Sequence, residues 1–174
     1  KMRTPALKLE TTATKSTYAG LFMVTLATLM YEILLTRVFS VTTWYHFAFF
    51  AVSVAMFGMT VGALIVYLSP NRFTVDRASY HLSLNSLLFA TTTPLSFLAH
   101  MTIPFITDGS LVGLGSMGLT YIVVSIPFIF SGITVCIALT KFPSAVSTLY
   151  AVDLAGAALG CILVVYVLNL TDAP

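Results

Sequence analysis

The 174 residues are 58% hydrophobic and only 8% charged, with a formal net charge of +2. A soluble domain averages about 25% charged residues, so a chain with a mean hydropathy of +0.98 lacks the polar surface to clothe a water-exposed core. These values exclude a soluble globular enzyme, a disordered segment and a nucleic-acid-binding domain, which needs a strongly basic face, and two cysteines, Cys136 and Cys161, do not make a disulfide scaffold.

A helix needs about 20 apolar residues to cross about 30 Å of hydrocarbon. Five stretches meet that length, at 18–41, 44–68, 82–106, 118–140 and 148–170. None alternates as a barrel strand does. The predicted fold class is therefore all-α, a polytopic bundle of five transmembrane helices. Residues 1–17 form a polar tail rich in Thr and Lys. The apolar run that follows is too long for a signal peptide and contains Glu32, so it reads as an uncleaved first span. A bend at Thr42 and Thr43 folds the first two spans into an antiparallel hairpin. Ser69 to His81 reads as a polar loop, Thr107 to Met117 as a Gly-rich loop, and Lys141 to Ser147 as a short loop containing Pro143. Residues 171–174 read as the start of an outer segment or of a continuation, and with Lys1 in first position the chain reads as part of a longer protein.

Lys1, Arg3, Lys8, Lys15, Arg72, Arg77 and Lys141 all fall on one side of the membrane in this topology, and the opposite loops hold no Lys or Arg. The positive-inside rule then predicts a cytoplasmic N-terminus. No eukaryotic targeting signal is evident, which points to a bacterial inner membrane.

Ionisable residues inside spans are costly and are functional candidates by default. Glu32 and Arg37 lie in the first span and Asp153 near the start of the fifth. Glu32 and Arg37 are separated by about 140° around a helix, so each needs its partner elsewhere. Asp153 sits about 20 Å below Arg37 along the bundle. Two readings stand for these three residues: structural polar contacts, or a binding or transport site. Trp44, Tyr45, His46 and His100 gather near the outer ends with Asp108. They read either as an interfacial aromatic belt or as an outer pocket for an anion, a lipid head group or a metal-containing cofactor. No HxxxH or HExxH spacing supports a metal site, and no catalytic constellation is present.

Gly113, Gly115 and Gly118 have GxGxxG spacing, but outside a βαβ unit it is a chance match, and they read as a flexible turn. Gly58 with Gly62, and Gly156 with Gly160, are GxxxG pairs inside spans. Such pairs bring backbones close, within the chain or with a partner. Pro94, Pro104 and Pro127 lie in or at the ends of spans. Cys136 and Cys161 read as small packing residues.

The segment YEILLTRVFSV (Tyr31 to Val41), a short bend, and a span ending in GMTVGAL (Gly58 to Leu64) resemble the opening of membrane-embedded spermidine synthase-like proteins. PFIFSGITVCIALT (Pro127 to Thr140) and LYAVDLAGAALGCILVV (Leu149 to Val165) are similar to the same family, through Asp153, Leu154, Gly156, Ala157 and Gly160. The resemblance implies a multi-span region that precedes a soluble aminopropyltransferase-type domain. The donor-binding Gly-rich turn and acidic residues of that domain are not in this chain, so no catalytic or cofactor residue carries over. The expectation is a non-catalytic membrane domain serving as anchor or scaffold. Two other readings are an accessory subunit of a respiratory or photosynthetic membrane complex, and a component of a small-cation or polyamine transporter using Glu32 and Asp153. The expected partners are the lipid bilayer and other membrane subunits or further copies of the chain, with lipid or pigment contacts, no cofactor of its own and no nucleic acid.

Overall fold

The computed structural model describes residues 13–42, 48–103 and 110–170. These residues form five long helices: α1 (Lys15–Thr42), α2 (Ala48–Leu68), α3 (Ala78–Thr102), α4 (Leu111–Lys141) and α5 (Val146–Leu170). All five are long and apolar enough to cross a membrane. Short 3₁₀ turns at Val75–Arg77 and Pro143–Ala145 lead into α3 and α5. A helix is the form that lets each span satisfy its backbone within itself where water is absent. The hydroxyls follow the same rule. Thr60 Oγ1 donates to Met56 O at 2.7 Å, Thr134 Oγ1 to Phe130 O at 2.9 Å and Thr140 Oγ1 to Cys136 O at 2.6 Å.

The helix bounds depart from the hydropathy bounds. Hydropathy marks where apolar residues begin, whereas a helix begins where its first N–H groups can be capped. The largest difference is at α4, which starts at Leu111 and not at Gly118. Ser110 caps it by accepting the Gly113 N–H at 3.1 Å. Gly113, Gly115 and Gly118 are therefore helical, which corrects their reading as a flexible turn. The third span begins at Ala78, without a side-chain cap, and ends at Thr102, four residues earlier at each end than the 82–106 predicted. The fifth begins at Val146. Lys15 to Thr17, assigned to the polar tail, form the first turn of α1.

α4 is the central element and more than half of its apolar core is buried. It packs against α2 on one side and α3 on the other, while α1 lies across it and carries α5 on its outer side. Two apolar clusters fill the bundle. One joins Leu21, Val66, Leu82, Ile137 and Leu149. It is closed by Phe73 and Phe142, which the two helix connections turn inward at 6% and 0% exposure. Lys15, Arg72, Arg77 and Lys141 lie at this same end of the bundle, called the basic end below. The other cluster joins Tyr31, Leu35, Phe39, Val54, Val124 and Phe128.

Both GxxxG pairs are used inside the chain. A Cβ on Gly58 would fall 2.6 Å from Phe128 Cβ and 2.7 Å from Ser125 O. A Cβ on Gly62 would meet Ile129 O, with Ile133 N at 2.8 Å. α4 answers with Gly132, where a Cβ would lie 2.5 Å from Met59 O. On the other side of α1, Cβ atoms at Gly156 and Gly160 would each fall 2.6 Å from a carbonyl, of Phe22 and Leu26 respectively. The obstacles are mainly backbone, so these two interfaces admit no larger residue without separating the helices.

Candidate functional site

The ionisable residues of the spans do not converge. Glu32 and Asp153 are half-buried and Arg37 is exposed. None makes an ion pair among the described residues. α1 and α5 run parallel, with Gly156 beside Phe22 and Gly160 beside Leu26. That register puts Asp153 level with the first turns of α1, about 20 Å below Glu32 at 1.5 Å per residue. Trp44, Tyr45 and His46 lie outside the described residues, as do Pro104 and Asp108. His100 is buried at 5% exposure on α3, with its ring edge-on to Phe39 at 4.9 Å. Its Nδ1 and the Thr120 hydroxyl are buried with no hydrogen-bond partner among the described residues. No group of three or more His, Cys, Asp or Glu among the described residues is placed to hold a metal ion. Cys136 is half-buried on α4 and Cys161 faces outward on α5.

Uncharged polar side chains make the seam instead. Between the two apolar clusters, Thr28 on α1 and Ser131 on α4 share a 2.6 Å hydrogen bond at 1% and 0% exposure. Thr28 Oγ1 also reaches Val24 O at 2.7 Å. One turn further along α1, Tyr31 stacks on Phe128, with centroids 5.4 Å apart. Its hydroxyl lies 3.5 Å from Ser96 Oγ, at the long limit for such a bond.

Ser96 has a more definite task. Pro127 sits inside α4 and has no N–H to give the carbonyl four residues before it. That carbonyl belongs to Val123, and Ser96 on α3 donates to it at 2.8 Å. The hydroxyl from a neighbouring helix thus replaces the bond that the proline removes. This is how a proline is tolerated in a span.

The molecule also carries a groove between α1 and α3, which touch only lightly. At the basic end it is a cleft of about 220 Å³ edged by the hydroxyl residues Thr14, Ser16, Thr17, Ser79, Ser83 and Ser86. Thr14 Oγ1 bonds Ser16 Oγ at 2.9 Å and Thr17 Oγ1 at 3.0 Å. Toward the bilayer centre it continues as an open cleft of about 410 Å³ edged by Met23, Val24, Ala27, Phe89, Ala90 and Pro94. Gly20 and Ser86 border both parts. No carboxylate, histidine or cysteine lines either.

Sequence reasoning missed Ser96, Thr28, Ser131 and Gly132 as structural determinants. One signal for Ser96 was available: Pro127 in an apolar run orphans a carbonyl, which then needs a hydroxyl from elsewhere. No family model, curated protein or solved structure matches this chain.

Proposed function

We propose that this chain is a non-catalytic membrane domain that anchors or scaffolds a spermidine synthase-like integral membrane protein, with its basic end in the cytoplasm of a bacterial cell. The observation that carries the reading is where the glycines act. The two Gly-xxx-Gly elements on which the family resemblance rests are also the places where helix backbones meet, α2 on α4 and α5 on α1. The motifs thus serve close packing. The interior is held by small residues and neutral hydroxyls, and the Ser and Thr hydroxyls of the groove have no histidine, cysteine or carboxylate among the lining residues to activate one of them. Glu32 and Asp153, set about 20 Å apart, give a transporter no shared acidic site.

The test combines two measurements. The polypeptide from native membranes should have an intact mass well above the 18.8 kDa of this chain, the excess being a soluble Gly-rich domain. The 174-residue chain alone should transfer no aminopropyl group from decarboxylated S-adenosylmethionine to a diamine. A native mass near 18.8 kDa within a stable larger particle, or measurable turnover by the chain alone, would overturn the proposal.

A further inference from the structure

We infer that the groove between α1 and α3 is a site for one anionic phospholipid of the leaflet on the basic side, with its head group among the hydroxyls and an acyl chain along the apolar part. The groove changes character along its length as such a lipid does. Its mouth offers neutral hydroxyls from the first turns of two helices, Ser16 and Thr17 on α1 and Ser79 on α3. Its continuation offers the apolar side chains of Met23, Val24 and Phe89.

Charge at the mouth favours an anion. Lys15 lies between Thr14 and Ser16, and Arg77 two residues before Ser79; the acids described at this end are Asp76, beside Arg77, and Asp153 on α5. No carboxylate lines the cleft. The dimensions also agree. From Thr14 to Ala27 the groove follows α1 for about 20 Å, which matches the head-group zone plus one leaflet of a hydrocarbon core about 30 Å thick. A packing helix from a partner would find its apolar face set against the hydroxyl residues Thr14, Ser16, Thr17, Ser79, Ser83 and Ser86. A phospholipid head group finds donors there. The site is independent of the scaffold proposal, because it uses no residue of the family motifs.

Gly20 supplies the test. It stands where the polar and apolar parts join, and a Cβ built there meets nothing within 4 Å. A larger side chain at Gly20 therefore starts into open groove, with no neighbour against its Cβ. The full chain is stripped of lipid in mild detergent and titrated with dioleoyl phosphatidylglycerol or dioleoyl phosphatidylcholine. Adducts are counted by native mass spectrometry, and thermal unfolding is followed in parallel. The wild type should retain one phosphatidylglycerol in preference to phosphatidylcholine. Gly20→Leu should weaken that retention about tenfold while unfolding at the same temperature without lipid. Lys15→Gln should reduce the preference for phosphatidylglycerol about fivefold and leave binding of phosphatidylcholine unchanged. Equal adducts on wild type and Gly20→Leu would overturn the site. Equal affinity of the wild type for the two lipids would overturn the anionic head-group assignment. A wild-type dimer that Gly20→Leu converts to monomer would show that a second copy covers the groove, and would likewise overturn the proposal.

Discussion

Removing the Ser96 hydroxyl should destabilise the bundle only while Pro127 is present. In the native chain Ser96 Oγ donates to Val123 O at 2.8 Å, and Pro127 has removed that carbonyl's helical donor. Ser96→Ala leaves a part-buried carbonyl, inside the span, without its donor. An unsatisfied buried acceptor costs about 1–3 kcal/mol in proteins generally, and interhelical hydrogen bonds in membranes average about 0.6 kcal/mol with a ceiling near 1.7. The expected loss is therefore about 1–1.5 kcal/mol. Pro127→Ala returns an N–H to the carbonyl, so the same Ser96→Ala change made in that background should cost only about 0.3 kcal/mol. Pro127 is itself buried, so its replacement also opens space, but the cycle cancels any effect common to both arms. Tyr31→Phe controls for the long 3.5 Å contact that Ser96 makes with the Tyr31 hydroxyl. Reversible unfolding in mixed dodecylmaltoside and dodecylsulfate micelles reads all the variants. A coupling within about 0.3 kcal/mol of zero would refute the claim that the serine stands in for the bond that proline lacks.

Three further outcomes follow from the packing. Gly62→Ala should destabilise by about 1–3 kcal/mol, because its Cβ would meet the backbone of α4 at Ile129 and Ile133. Gly118→Ala, with nothing within 4 Å of the new Cβ, should be neutral or stabilising by up to about 1 kcal/mol; equal effects of the two changes in the same unfolding assay would count against the close α2–α4 approach. A double-mutant cycle on Thr28→Val and Ser131→Ala should show a coupling of about 0.6–1.7 kcal/mol for their 2.6 Å bond, and strictly additive effects would contradict it. Glu32→Gln and Asp153→Asn, which break no ion pair among the described residues, should each move stability by no more than about 0.5 kcal/mol and leave membrane insertion unchanged; a loss of several kcal/mol for either would reveal a partner that this account lacks.

The five spans were legible because twenty-odd apolar residues in a row have few other structures open to them. Their faces were not. In water an apolar stripe marks the core, but in lipid the outer face is apolar as well, so Leu114 and Ile122, exposed on α4, look in sequence like Val124 and Ile137, which are buried. The start of α4 was misjudged for a related reason. Three glycines resemble a turn in water, yet Ser110 caps the helix and the apolar residues Leu111 and Val112 carry it onward. The GxxxG pairs were visible as packing elements, but only the register of the helices reveals that Gly62 meets α4 and Gly156 meets α1. The hydroxyl seam was hidden because a Ser or Thr in a span bonds its own helix just as readily, as Thr60 and Thr134 do. Among the candidates proposed from sequence, Glu32, Arg37 and Asp153 stay apart, and His100 stands against Phe39 as part of the core.

In the proposed threading, five helices cross the bilayer with the basic end inside. Single cysteines placed in a Cys136→Ala, Cys161→Ala background at Arg72, Ser110 and Ser144 report it, by labelling intact cells with a membrane-impermeant maleimide and then repeating the labelling after permeabilisation. The prediction is that Ser110→Cys reacts in intact cells, while Arg72→Cys and Ser144→Cys react only once the membrane is opened. Labelling of all three from the same side would contradict the threading, and labelling of Arg72→Cys and Ser144→Cys from outside would invert the orientation on which the function was proposed.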